Sequence, residues 1–196
     1  MALSTKVYYN SAKELIVNTD SHSVNTITNI ISETQQTVYP IELVEPPRIF
    51  EKIISWYPEL CWFANITKDD AENSVINSSR FVGHLIAYYW SEPEKPPFLN
   101  SVSGIQKINQ LMTSTTVIQS EHIPRVFLHD LTIIPDMANK GVGRELVSRF
   151  LEYLSAWNQP VIISLVSVRG TRKFWEKFGF VPITQLTATG YTQNLW

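Results

Sequence analysis

The stretch that decides the fold reads LTIIPDMANKGVGRELVSRFLEYL and covers residues 131–154. An apolar strand ends at Pro135, a polar turn follows, and Gly141-Val142-Gly143 opens a helix with one apolar face. Glycines let a ligand approach the backbone, and the first N–H groups of a helix have no partner within it. The stretch therefore predicts an anion site made by backbone groups. The apolar face consists of Val147, Phe150, Leu151 and Leu154.

The glycine turn differs from two common nucleotide loops. Position 146 is Leu, so the G-x-G-x-x-G dinucleotide fingerprint is not completed, and the chain has no Gly-Lys-Ser/Thr as in a Walker A loop. Lys140 and Arg144 flank the turn with positive charge. Many Gly-x-Gly turns are only tight loops, so a turn without a ligand is the alternative interpretation.

The elements around this turn predict a β-α-β unit over residues 126–166, because a second buried strand starts after Pro160. Strands and helices alternate irregularly on either side of the unit. This order predicts an α/β or α+β fold around one sheet. Other strands are expected over 6–9, 60–64, 80–90, 180–186 and 191–196, and helices over 23–36, 49–57 and 171–178.

Length and composition predict one domain over residues 1–196. Three prolines break regular structure after residue 91, so we expect a long loop insertion around 91–124. The net charge of −2 argues against a broad surface for nucleic acid or anionic membrane. Cys61 is the only cysteine, which excludes an internal disulfide and a cysteine zinc cage. The chain shows neither a membrane span nor an apolar leader, so we expect a cytoplasmic protein.

The stretch 131–154, followed by RKFWEKFGF at 172–180, resembles the Gcn5-related N-acetyltransferase (GNAT) superfamily. In that family Arg/Gln-x-x-Gly-x-Gly/Ala wraps the pyrophosphate of acetyl-CoA, and here Ala138 replaces the leading Arg or Gln. A second family motif, similar to FYEKLGF, lies beside the pantetheine arm, and here Trp175 replaces its Tyr. The resemblance is clearest over residues 125–182.

Weaker similarities point to an arylalkylamine-acetyltransferase-like branch. They are Tyr39-Pro40, the strand FVGHLIAYYW at 81–90, and His-Asp-Leu at 129–131. The resemblance implies a GNAT-like mixed central sheet of about six or seven strands flanked by helices. It also implies a set of acetyl-CoA-binding residues. They are Leu131, Thr132, Ile133, Asn139, Lys140, Gly141, Val142, Gly143, Arg144, Phe174 and Trp175.

Acetyl transfer to an amine requires a deprotonated amine, a polarised carbonyl and a stabilised thiolate. The resemblance places the active site on the face of β-strand residues 127 and 129, so His129 is the candidate base; a merely structural histidine is the alternative. A backbone N–H near Leu131 would polarise the carbonyl. Because an indole cannot supply a proton at useful pH, either another group protonates the thiolate, with Tyr191 as the candidate, or the thiolate leaves without a proton. Asp130, on the other face of the strand, is expected to make a structural hydrogen bond.

The resulting hypothesis is an N-acetyltransferase that moves the acetyl group of acetyl-CoA to a primary amine by direct attack. A small-molecule amine is the first expectation for the acceptor, and a protein N-terminus or lysine is the second. A non-catalytic acyl-CoA-binding or interaction module is the rival hypothesis, since the motif departs from the family at 138 and 175. We expect no metal, no nucleic acid and no membrane partner, and the sequence leaves a homodimer open.

Overall fold

The structure is a computed structural model that describes residues 6–18, 23–67, 80–90, 106, 123–168, 170–182 and 190–195. The predicted loop around 91–124 lies almost entirely outside these residues, so the single-domain prediction stays a prediction. The strands are β1 Lys6–Ser11, β2 Trp62–Thr67, β3 Arg80–Tyr89, β4 Arg125–Ile133, β5 Val161–Val166, β6 Val181–Pro182 and β7 Gly190–Leu195. The helices are α1 Ala12–Asn18, α2 Val24–Val38, α3 Pro47–Trp56, α4 Val142–Ser155 and α5 Arg172–Glu176.

These strands form one mixed sheet in the order β1-β2-β3-β4-β5-β7-β6. Seven strands within the described residues agree with the expected six or seven. The chain divides into two compact units: the first contains residues 1–86 and 130–150, and the second contains 87–129 and 151–196. Strands β3 and β4 and helix α4 each contribute residues to both units.

In the first unit, β2 pairs antiparallel with both β1 and β3, and a bulge shifts the β2-β3 register between Ala64 and Asn65. Gly83 in β3 lies against the last two residues of β4. A Cβ atom at this position would lie 2.8 Å from the Thr132 carbonyl oxygen and would clash with the Ile133 side chain. Only glycine fits here without moving the backbone of β4.

Helices α2 and α3 supply apolar residues to the core of the first unit. Ser23 caps α2, because its hydroxyl accepts a hydrogen bond from the Thr26 N–H at 3.2 Å. Pro47 occupies the first turn of α3, where its missing N–H costs no hydrogen bond, and Pro58 follows just after the helix ends. The buried apolar residues of the two helices are Ile27, Ile31, Ile49, Phe50, Ile53 and Ile54.

In the second unit, β4 and β5 run parallel from Arg125↔Ile162 to Leu128↔Leu165. Strand β7 pairs antiparallel with both β5 and β6. The parallel pair, joined through α4, is the β-α-β unit that the sequence predicts. Among the described residues, the pairing of β4 with β5 ends at Leu128, although β4 itself continues to Ile133.

Some element boundaries differ from the sequence prediction. Residues 58–60 form a 3-10 turn, so β2 begins at Trp62 instead of residue 60. Helix α1 follows β1 directly where the sequence showed no clear pattern, and Ser11 and Glu14 cap it reciprocally. Among the described residues, no helix combines the length and apolar character that crossing a bilayer needs.

Candidate functional site

The glycine turn has the backbone geometry of an anion cradle. A 3-10 turn over Pro135–Met137 leads out of β4, and Asn139 and Gly141 then both adopt left-handed conformations, with φ of 61° and 85°. Asparagine tolerates this region better than most residues, and glycine adopts it without steric cost. The first hydrogen bond of the α4 ladder runs from the Glu145 N–H to the carbonyl of Gly141, the residue before the helix, at 3.0 Å. The N–H groups of the preceding helical residues therefore have no partner within the helix.

The cradle faces solvent and carries positive charge. Residues 138–141 and Arg144 are exposed, while Val142 beside them is buried. Lys140 and Arg144 add two cations to the positive end of the helix dipole. An exposed backbone cradle with these charges fits a diphosphate.

Helix α4 is fixed in the first unit by both apolar and polar contacts. Leu146, Val147 and Phe150 are fully buried. Arg149 donates to the Glu145 carboxylate at 2.9 Å and lies over the ring of Tyr9, 5.1 Å from its centroid. Burial raises the pKa of the Tyr9 phenol, and the Glu145 carboxylate raises it further. These contacts hold the start of the helix, and with it the cradle, against the sheet.

Strand β4 presents different residues on its two faces after Leu128. His129, Leu131 and Ile133 are half-buried, whereas Asp130 and Thr132 between them are buried. Side chains alternate along a strand, so His129 and Asp130 point to opposite faces. Asp130 therefore does not orient His129, in agreement with its expected structural role.

Asp130 is the centre of a buried polar group in the first unit, here called the Asp130 cluster. Its Oδ2 lies 2.9 Å from both Gln35 Nε2 and His84 Nε2. Its Oδ1 lies 2.8 Å from both the Tyr39 hydroxyl and Thr132 Oγ1. The Tyr39 and Thr132 hydroxyl oxygens are also only 2.9 Å apart. The cluster thus joins α2 and the residue after it to β3 and β4.

Each oxygen of the Asp130 carboxylate has donors in reach. Gln35 donates its amide hydrogen to Oδ2, and His84, with its proton on Nε2, does the same. Tyr39 and Thr132 have one hydroxyl hydrogen each, and these two hydrogens serve three contacts. The Gln35 carbonyl oxygen also accepts from the Glu45 N–H at 3.0 Å, which extends the cluster to the segment before α3.

Comparison with known proteins identifies the family of this chain. The sequence profile described as "Acetyltransferase (GNAT) family" matches residues 26–180, well over half of the chain. The chain belongs to the GNAT acetyltransferase family. This acetyltransferase accordingly takes its acetyl group from acetyl-CoA. No curated protein matches the sequence.

Solved structures share the fold of this GNAT acetyltransferase at low sequence identity. The NatC complex bound to Gag peptide and CoA is similar with a TM-score of 0.54, 12% identity and 96% coverage of both chains. PH1933 from Pyrococcus horikoshii OT3 has a TM-score of 0.52 and 14% identity, with 97% and 99% of the two chains covered. Ard1 from Thermoplasma volcanium has a TM-score of 0.51 and 13% identity, with 97% and 96% covered. At these identities the likeness shows the fold alone.

The predicted base of this acetyltransferase lies in an aromatic setting in the second unit. The His129 ring centroid is 5.7 Å from that of Tyr88 and 6.2 Å from that of Phe127. Its half-buried ring retains some access to solvent. The aromatic neighbours restrict its rotamers, which suits a group that must hold one direction.

The second predicted motif is mostly an aromatic core. Trp175 is only 6% exposed, and its ring centroid lies 5.0 Å from that of Phe174 and 5.6 Å from that of Phe180. Phe174 is half-buried and also contacts Phe178. Of the two predicted pantetheine neighbours, Phe174 is thus the more accessible.

Other predicted residues are placed only in part. Tyr191 in β7 pairs with Leu165 and Pro182, but its side chain lies outside the described part of the structure.

Among the described residues, no group of three or more His, Cys, Asp or Glu side chains is arranged to hold a metal ion.

The sequence did not reveal the Asp130 cluster as a unit. Its local signals were the structural hydrogen bond expected of Asp130 and the polar residue His84 in the middle of a mostly apolar strand, because a buried polar group requires a partner. Gln35 and Tyr39 lie more than 90 residues before Asp130 in the chain. No local pattern links residues that far apart.

Proposed function

We propose that this acetyltransferase transfers the acetyl group of acetyl-CoA to the primary amine of a small molecule by direct attack. Residues 139–144 would hold the diphosphate of the donor. The observation that carries the proposal is the exposed cradle, with two left-handed residues, Asn139 and Gly141, just before the start of α4.

Strand β4 would hold the pantetheine arm through its main chain. The pairing of β4 with β5 ends at Leu128 among the described residues. Backbone groups of Leu131, Thr132 and Ile133 would then pair with the amides of the arm, whatever their side chains. The Leu131 N–H would donate to the thioester oxygen as negative charge develops on it.

The reaction forms one bond and breaks one. The amine nitrogen attacks the thioester carbonyl carbon, a C–N bond forms, and the C–S bond breaks to release the CoA thiolate. His129 takes the proton that the amine nitrogen must lose. Histidine suits this task because its charge ordinarily changes between about pH 5 and 8.

Protonation of the leaving thiolate would use a different donor from the one usual in the family. Trp175 is buried, and an indole N–H does not transfer protons at useful pH. We propose Tyr191 for this role; its backbone pairs with Leu165 in β5 and with Pro182 in β6. A thiol titrates near 8.5, so release of an unprotonated thiolate is the alternative.

Release of free CoA across a panel of acceptors tests the proposal. The panel contains alkylamines, arylalkylamines, peptides with free N-termini and lysine peptides with blocked N-termini. We expect acceptor-dependent release with a small amine, and acetylated product of the matching mass. Turnover with peptides only would assign the protein-directed alternative. An arylalkylamine preference would support the predicted branch.

A further inference from the structure

We infer that Arg80 binds the diphosphate of acetyl-CoA, reaching it from the start of β3. The inference rests on the proposed diphosphate site at residues 139–144. It assigns to that site a residue that lies about 60 positions earlier in the chain.

Arg80 is the first residue of β3 and lies near the end of β4. The Ile134 N–H donates to the Val82 carbonyl at 3.0 Å, which aligns the end of β4 with the beginning of β3. Two residues before Val82, the Arg80 guanidinium lies 3.8 Å from the Asp136 carboxylate. Asp136 belongs to the 3-10 turn that leads directly into the cradle. The strand pairing therefore holds Arg80 beside the 3-10 turn that leads into the cradle.

The contact between Arg80 and Asp136 is weak enough to exchange. The two side chains are 62% and 77% exposed, and 3.8 Å exceeds the length of a charge-assisted hydrogen bond. Exposed ion pairs of this kind contribute little to stability. A diphosphate carries more negative charge than one carboxylate and accepts two parallel N–H bonds from a guanidinium. Arg80 should therefore leave Asp136 when the diphosphate is present.

The cradle lacks one positively charged or polar side chain that the resemblance leads us to expect. Ala138 brings no cation to the position where the resemblance leads us to expect Arg or Gln. Lys140 and Arg144 lie within and after the turn, whereas Arg80 approaches from β3, on the side of Asp136. A guanidinium from β3 would replace the missing side chain from a different part of the chain.

Because Asp136 competes with the diphosphate for Arg80, substitutions at the two positions should change the affinity for CoA in opposite directions. Arg80→Gln should weaken CoA binding roughly tenfold, measured by calorimetric titration in low salt. Asp136→Asn should strengthen it by about two- to threefold, because it removes the competing carboxylate. That gain should vanish in the double variant. Arg48→Gln, an exposed arginine on α3 with the same change in net charge, is the matched control and should bind like the wild type.

A series of ligands locates the contact. CoA, dephospho-CoA and pantetheine are compared by competition against a bound CoA analogue. If Arg80 holds the diphosphate, Arg80→Gln weakens CoA and dephospho-CoA equally and leaves pantetheine unchanged. A loss confined to CoA would assign Arg80 to the 3′-phosphate and overturn the inference.

Two further outcomes separate this inference from the proposed function. Equal affinities of wild type and Arg80→Gln for CoA would overturn the role of Arg80 and leave the proposed function intact. Failure of the folded wild type to bind CoA would overturn both. Circular dichroism and thermal unfolding of each variant show whether it is folded, and both substituted side chains are exposed, so we expect unchanged unfolding temperatures.

Discussion

At the scale of single residues, His129 and Asp130 are neighbours with different surroundings. Asp130 is buried and hydrogen-bonded to Gln35, Tyr39 and His84, whereas His129 faces the opposite side of β4 and is half-buried. Alternation along the strand separates them, so each can be changed without removing the other. The sequence predicted that the two side chains face opposite sides of the strand, because alternation along a strand is a local property. The catalytic role of His129 stays a prediction.

His129→Gln should lower kcat by about 10²–10⁴-fold near pH 7 if His129 is the general base. The deficit should shrink toward pH 10, since an alkylamine then loses its proton without help. The pH profile of kcat/KM for a good amine substrate measures this. An unchanged rate and profile would exclude His129 as the base.

Asp130→Asn should destabilise the fold by about 3 kcal/mol. The substitution replaces one acceptor oxygen by an NH₂ group, and both oxygens face donors in the Asp130 cluster. Urea unfolding measures the change. Asp136→Asn, the same substitution at an exposed site, should change stability by less than about 0.5 kcal/mol. Equal effects at the two sites would show that the cluster adds no stability.

At the scale of elements, the sequence predicts the β4–turn–α4 unit but not the contacts that other elements make with it. The unit has a local signal: an apolar strand, a glycine turn and a helix with one apolar face. The contact of Tyr39 with Asp130 depends on how α2 packs, and the contact of Gly83 with the end of β4 depends on how the neighbouring strands β3 and β4 approach each other. The sequence also predicts the start of β2 too early. Leu60 and Cys61 are as apolar as strand residues, but Leu60 ends the 3-10 turn and Cys61 follows it.

Gly83→Ala should destabilise the protein by about 1–3 kcal/mol and raise the KM for acetyl-CoA. The added methyl group would press on the backbone of Thr132, in the segment proposed to bind pantetheine. Thermal unfolding and initial-rate kinetics measure the two effects. Ala87→Gly, which alters a buried residue of the same strand in the other direction, is the control for general loss of strand stability. A loss of stability in Gly83→Ala with unchanged KM would argue against pantetheine binding at this segment.

At the scale of the whole molecule, the family match and the mixed sheet agree with a GNAT acetyltransferase, while the acceptor has no sequence signal of its own. A net charge of −2 is too small to select a cationic partner. Acceptor recognition depends on side chains that come together from distant segments, and one sequence does not show which of them meet. The expected cytoplasmic location, the arylalkylamine branch and a homodimer stay predictions for the same reason.

The stability of the whole fold should fall at alkaline pH partly through Tyr57. Burial raises the pKa of its phenol, and the Glu59 carboxylate raises it further. A raised folded-state pKa means that stability is complete below the unfolded value, about 10, and is lost as pH rises through the folded value. Tyr57→Phe should therefore lose less stability than the wild type as the pH rises above about 10, measured by urea unfolding. Identical losses would show that Tyr57 ionises equally in both states.

Calorimetric titration with acetyl-CoA tests the diphosphate cradle most directly. The wild type should bind one equivalent with measurable heat, and Ser155→Leu, at the exposed far end of α4, should match it. Gly143→Leu, which places a side chain in the first turn of the same helix, should bind at least about tenfold more weakly. A wild type that gives no heat, or three proteins of equal affinity, would contradict the account.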